Sequence, residues 1–131
     1  MLLSFRAGES IQVGDAVTIA VGASGHIYTA RTSGTIGEAS SVGVSVDTVS
    51  SGALCRVVTD AKAEVYSGLN TGSRYFVSAS GGNPVTYDTF VAEFNQIGVS
   101  GAFIVDLGVA LSTTALRVSP QEPKPVVSGY L

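Results

Sequence analysis

The 131-residue chain contains one cysteine, one histidine and no tryptophan. A lone cysteine, Cys55, excludes an internal disulfide, and a lone histidine, His26, leaves no His/Cys pair at metal-ligand spacing. Charge is scarce as well, at 13% of residues. Helical proteins cover their surfaces with Glu, Lys, Arg and Gln, so this scarcity argues against a helical fold. The seven basic residues are never adjacent, and the net charge is −3. No footprint for nucleic acid follows from that. No apolar run approaches the ~18 residues that a membrane helix needs. The opening MLLSFRAGES has neither a basic n-region nor a long h-region, so no secretory leader is expected. With its single cysteine, the chain is expected to be made in a reducing cytoplasm.

What the sequence does contain is a β pattern. Apolar residues make up 45% of the chain and glycines number 16, enough for a core and many tight turns. In GDAVTIA (14–20), Ala16, Thr18 and Ala20 alternate with Asp15, Val17 and Ile19. Ala61, Ala63 and Val65 alternate with Lys62, Glu64 and Tyr66. Tyr75, Val77 and Ala79 alternate with Arg74, Phe76 and Ser78, and Phe103, Val105 and Leu107 with Ala102, Ile104 and Asp106. Period two over short runs reads as half-buried strands, and the glycines between them read as turns. DTFVAEF (88–94) is the one stretch that could form a short helix. The expected fold class is all-β: a small antiparallel barrel or sandwich of eight or nine strands.

Two stretches carry a repeated motif, VGVS at 42–45 and IGVS at 97–100. In each half a glycine (Gly14; Gly72) precedes an apolar strand, and a Ser/Gly turn leads to a strand bearing one tyrosine (Tyr28; Tyr87). A loop then ends in the motif. Two related β-units, about 11–52 and 69–108, are therefore expected to share one core, with Gly43 and Gly98 as equivalent bends. Residues 1–10 read as an N-terminal arm and 11–116 as the β-domain. Residues 117–131, with Pro120, Pro123 and Pro125, read as an extended Pro-rich C-terminal arm. The apolar end of that segment suits either docking on a neighbour or packing on its own domain.

Searches for chemistry identify no constellation. His26 follows a turn and reads as a solvated polar residue. Cys55 alternates with Ala53 and Val57, as a small core residue would, and Arg56 points to the opposite face. No G-x-S-x-G elbow occurs, and no Gly-rich stretch leads into a helix. Asp47, Asp60, Asp88 and Asp106 lack the close spacing of a calcium loop. No catalytic residue, cofactor or metal is expected, and the chain is not expected to be an enzyme.

The succession G-D-A-V-T, G-H-I-Y-T-A, V-G-V-S and V-T-D-A-K-A-E-V-Y-S-G-L-N-T-G-S-R-Y-F-V-S-A-S-G-G, over residues 11–112, resembles small β-domains of tailed bacteriophages. It is similar in particular to head decoration (cement) proteins and to related head-fibre and tail-fibre modules. The resemblance implies a structural virion protein, typically a homotrimer, on the outer capsid surface, bridging neighbouring subunits of the major capsid protein. The expected partner contacts are Leu3 and Phe5 near the start of the chain and Val127 and Tyr130 near its end. The alternative is a fibre adhesin that binds a host surface glycan through the loop 29–40.

Overall fold

The computed structural model describes residues 2–19, 25–31, 40–79, 81–97 and 103–125. Its first sheet is built from β1 (Leu2–Arg6), β2 (Ala16–Ile19), β3 (Ile27–Thr29), β4 (Gly43–Ser45) and β5 (Leu54–Val58), in the order β1-β5-β4-β2-β3. The second contains β6 (Ala61–Ala63), β7 (Arg74–Phe76), β8 (Val85–Thr86), β10 (Asp106–Ala110) and β11 (Leu116–Val118), in the order β6-β11-β10-β7-β8. A helix, α1 (Tyr87–Ile97), follows β8, and β9 (Phe103–Ile104) pairs with β12 (Lys124–Pro125). Within each sheet the pairing is antiparallel and the sheets are not closed into a barrel, so the fold is all-β and sandwich-like. The described strands number twelve, more than expected, because several are only two or three residues long.

The main core lies between the sheets. Ala16, Val44 and Val58 of the first meet Ala63, Tyr75, Leu107, Leu116 and Val118 of the second. Each fully buried Val or Leu side chain here contributes about 1.5–3 kcal/mol. The first sheet departs from the half-buried expectation, because its other face is covered too. Ala7, Ile11, Val17, Ile27, Cys55 and Val57 form a second core there. The segment after β1 folds across that face, held by bridges from Ala7 to Ile27 and from Ile11 to Val49. In the second sheet α1 supplies the cover: Phe90 is fully buried with Ala79, Val85 and Ile104. The Thr86 hydroxyl caps the helix by accepting the Thr89 N–H at 3.4 Å. No described helix is long and apolar enough to cross a membrane.

The two sheets repeat one strand order and one set of hydrogen bonds. Gly14 N–H donates to Ser45 O at 2.7 Å, and Gly72 N–H donates to Ala110 O at 2.8 Å. Both glycines have positive φ, +89° and +87°, which a residue with a Cβ adopts only at a cost. The return bonds correspond as well, from Ser45 N–H to Asp15 O and from Ala110 N–H to Ser73 O. On these correspondences the matching segments run from β1 to β5 and from β6 to β11, wider than 11–52 and 69–108. Val17 pairs with Gly43 and Tyr75 with Gly108, so Gly108 holds the place of Gly43 in the second sheet. Gly98 lies outside the described residues. Val85, opposite Phe76, holds the place of Tyr28, opposite Thr18, while Tyr87 opens α1.

The two terminal segments are tied to the domain. Residues 2–6 form the edge strand β1 on β5. Residues 117 and 118 belong to β11, and the chain then continues beside its own sheet. Ser119 N–H donates to Leu107 O at 2.6 Å, Gln121 N–H donates to Asp106 O at 2.9 Å, and Lys124–Pro125 pairs with Phe103–Ile104. Proline is tolerated along this path because it runs at an edge.

Candidate functional site

Leu3 and Phe5 both lie in β1, while Val127 and Tyr130 lie outside the described residues. The local sequence LLSFR alternates, so Leu3 and Phe5 share one face and Leu2, Ser4 and Arg6 the other. Phe5 packs against the second core, opposite Cys55 in the ladder. Leu3 is 38% exposed and Leu2 53% exposed. The only charge on the strand belongs to Arg6, whose Nη1 donates to Gly52 O at 2.9 Å.

The direction of the backbone groups in β1 follows from its neighbour. Arg56 of β5 turns both of its groups toward β4: its carbonyl accepts the Val46 N–H at 3.0 Å, and its N–H donates to Asp47 Oδ2 at 2.9 Å. Alternation then turns Cys55 and Val57 toward β1. Their partners Phe5 and Leu3 bond to β5, while Leu2 and Ser4 direct N–H and C=O away from it; at the Arg6 end that outward side meets β3, through the parallel Ala7–Ile27 bridge and the Gly8 N–H donated to Ile27 O at 2.8 Å. Among the described strands β1 pairs with β5 alone.

The equivalent edge strand of the second sheet differs in chemistry. Leu2 pairs with Val58 and Lys62 with Arg117, at corresponding register positions. Where β1 has Leu2 and Ser4, the chain through β6 has Lys62 and Glu64, joined by an ion pair at 2.6 Å. Charges of that kind protect a sheet edge from pairing with another chain. On β1 the charge is that of Arg6, at the end of the strand that meets β3.

Elsewhere the polar side chains hold the fold together. Asp47 takes Arg56 in a two-point pair, with Oδ1 2.7 Å and Oδ2 3.0 Å from the guanidinium. That guanidinium holds the Asp47 carboxyl below its usual range. Asp106 accepts from Arg74 at 2.9 Å and from Gly108 N–H at 3.0 Å. Glu93 of α1 accepts the Ser78 hydroxyl at 2.7 Å, and Glu9 accepts the Thr29 N–H at 2.8 Å. Asp15 is buried and accepts the Gln12 N–H at 3.0 Å. Beside it the Tyr66 hydroxyl donates to Gly14 O at 2.8 Å, joining the two strand sets; burial, with Asp15 adding to it, raises the phenol pKa.

Cys55 is fully buried, with Sγ 3.0 Å from the Ser45 hydroxyl, and burial pushes its thiol pKa up. That environment disfavours the thiolate. His26 is half-buried immediately before β3. Asp60 lies 3.6 Å from Arg117, and no group of three or more His, Cys, Asp or Glu gathers as metal ligands among the described residues. A shallow groove of about 350 Å³ is lined by Ser73, Arg74, Phe76, Thr86, Tyr87 and Asp88. Tyr87 sits edge-on to Phe76 there, with centroids 5.9 Å apart. Residues 32–39 of the loop expected to bind glycan lie outside the described residues.

Sequence reasoning singled out Leu3 and Phe5 but not Ser4, whose outward backbone groups lie on the exposed part of the β1 edge. Only the register with β5 identifies them. No known protein family matches the chain, and no curated protein matches it significantly.

Proposed function

We propose that this chain is a structural protein of a tailed-phage virion that binds the outer capsid surface and bridges neighbouring major capsid subunits. The observation that carries the reading is how the acidic side chains are used. Glu9, Asp15, Asp47, Glu93 and Asp106 each accept a backbone N–H. Asp47 and Asp106 also hold arginines on facing strands. Side chains committed in this way give a rigid shape, which suits a protein that works by fitting many identical sites. The surface left for partners includes exposed apolar side chains, among them Val13, Ile19, Leu54 and Leu111. The resemblance over 11–112 supplies the capsid as the partner.

The test is the copy number of the chain in purified parent virions relative to the major capsid protein. A ratio near unity, or a simple fraction of it, is expected, together with rebinding of purified protein to stripped capsids. A handful of copies per particle would instead assign the chain to a fibre. Absence from the particle would end the reading.

A further inference from the structure

We infer that the groove at the start of α1 is a binding site for a neutral glycan, with Tyr87 as the platform for a sugar ring. The β7–β8 register places its parts. Tyr75 pairs with Thr86 and Phe76 with Val85, so the next pair outward sets Arg74 across from Tyr87. Arg74, Phe76, Val85 and Tyr87 therefore share one face of the sheet, the face that α1 covers. Phe90 closes it over Val85, and Glu93 closes it over Ser78. Toward Arg74 that cover stops, and the groove of about 350 Å³ opens.

The first sheet fills the same positions differently. Val17 holds the place of Tyr75, and its partner Thr29 holds that of Thr86. One residue further along, Ala30 N–H donates to Ala16 O at 2.9 Å, and both alanines are fully buried in the main core. Their counterparts are Arg74 and Tyr87, two long side chains open to solvent. Tyr87 is 42% exposed, yet its edge-on contact with Phe76 holds the ring in place. A ring fixed before a ligand arrives loses little freedom on binding.

The lining selects the ligand. The C–H face of a sugar ring suits the electron-rich face of a tyrosine, and sugar hydroxyls both donate and accept. The groove offers both kinds of partner, in the Ser73 and Tyr87 hydroxyls, the Asp88 carboxylate and the N–H groups of Arg74 that Asp106 does not take. Among the described residues no side chain or backbone group engages the Ser73 hydroxyl, the Tyr87 hydroxyl or the Asp88 carboxylate. Asp88 thus differs from Glu9, Asp15, Asp47, Glu93 and Asp106, whose carboxylates are committed to the fold. Charge excludes an anionic ligand, because Asp106 offsets Arg74 at 2.9 Å and Asp88 adds a negative charge. A few mixed polar groups around one aromatic ring fit a neutral, hydroxyl-rich ligand. The site takes nothing from the loop 29–40, and it adds a ligand to the proposed structural role without depending on it.

The experiment titrates the purified full chain with neutral trisaccharides of glucose, galactose, mannose and N-acetylglucosamine, read by amide and tyrosine-ring NMR shifts. At least one is expected to bind with a dissociation constant of about 1 mM or tighter, shifting Arg74, Tyr87 and Asp88. Tyr87→Ala should weaken that binding roughly tenfold or more, while Tyr87→Phe, which keeps the ring, should stay within about threefold of wild type. Asp88→Ala removes a side chain that the fold does not use, so it should weaken binding with circular dichroism unchanged. A sialylated trisaccharide and inorganic phosphate should leave the groove unshifted. Arg31→Ala, in the loop 29–40, should bind as wild type does. No groove shift with any neutral trisaccharide at ~10 mM, about ten times the expected constant, would overturn the inference. Tighter binding of the anionic probes, or loss of binding in Arg31→Ala, would overturn it too. None of these outcomes alters the copy number in virions, so the two readings fail separately.

Discussion

Gly43 and Gly108 occupy the same position in the two sheets, each pressed against the backbone of the next strand. A Cβ on Gly43 would collide with the carbonyl oxygen of Val58, and one on Gly108 with that of Arg117. Val58 and Arg117 are themselves equivalent, pairing with Leu2 and Lys62. The close approach is therefore a property of the shared topology. Gly108 carries a further demand, a φ of +144° beside a register shift in the β10–β7 ladder.

Both glycines should resist substitution, and unequally. Gly43→Ala is expected to lower unfolding free energy by about 1–3 kcal/mol through overpacking against a backbone that cannot retreat. Gly108→Ala should lose roughly 1–3 kcal/mol more for its backbone conformation. Gly68→Ala is the control, since φ there is +73° but nothing lies within 4 Å of the added atom. It should fall between wild type and Gly108→Ala in urea denaturation.

Asp15 should make the protein less stable at neutral pH than a neutral isostere would. Burial pushes its carboxyl pKa up; the Gln12 N–H pulls it back, and Glu9 pushes it further up. The native state therefore binds this proton more tightly than the unfolded chain does, so the charged form carries a cost that falls as pH drops toward the unfolded carboxylate range. Asp15→Asn keeps an oxygen for Gln12 N–H. It is expected to raise the urea midpoint at pH 7, with the difference from wild type shrinking toward pH ~4. A variant less stable at pH 7 would refute this.

Much of the second sheet was legible in the sequence because its alternation is clean. Tyr75 and Val77, like Val105 and Leu107, are buried as their period predicts, but Phe76 and Ser78, expected on the opposite, open face, are buried as well, against Tyr87 and Glu93 of α1. The helix expected at 88–94 is present as Tyr87–Ile97. The matching of the two halves was harder to place, since LLSFR of β1 and AKA of β6 share no pattern of residue types. Their equivalence lies in pairing with β5 and β11, contacts between distant parts of the chain. Gly108 was hidden for a related reason: inside DLGVA it reads as a strand residue, and only the neighbouring carbonyl explains it. The β1 edge was half legible, because alternation predicts which side chains share a face but not which backbone groups remain outside.

The C-terminal segment should contribute to stability up to residue 125. Truncation after Val118 removes the bonds to Leu107 and Asp106 and the pairing of Lys124–Pro125 with Phe103–Ile104. A loss of about 1–3 kcal/mol is expected, or several degrees in melting temperature. Unchanged melting would mean that 119–125 lies on the domain without holding it.

Asp47 and Ser112 should separate a charge from a shape that both units share. Asp47 Oδ2 accepts the N–H of Arg56, and the Ser112 hydroxyl accepts the N–H of Ala115 at 3.1 Å, at the corresponding position. Ser112→Ala should therefore cost about 1 kcal/mol with little dependence on pH. Asp47→Ala loses the same kind of bond and also the Arg56 pair, for about 1–2 kcal/mol at pH 7. Because Arg56 depresses the Asp47 pKa, that stability is complete above the unfolded carboxylate range and is lost as pH falls through the native value. The gap between wild type and Asp47→Ala should thus narrow in acid while the Ser112→Ala gap stays constant. Parallel narrowing of both would locate the acid sensitivity elsewhere in the fold.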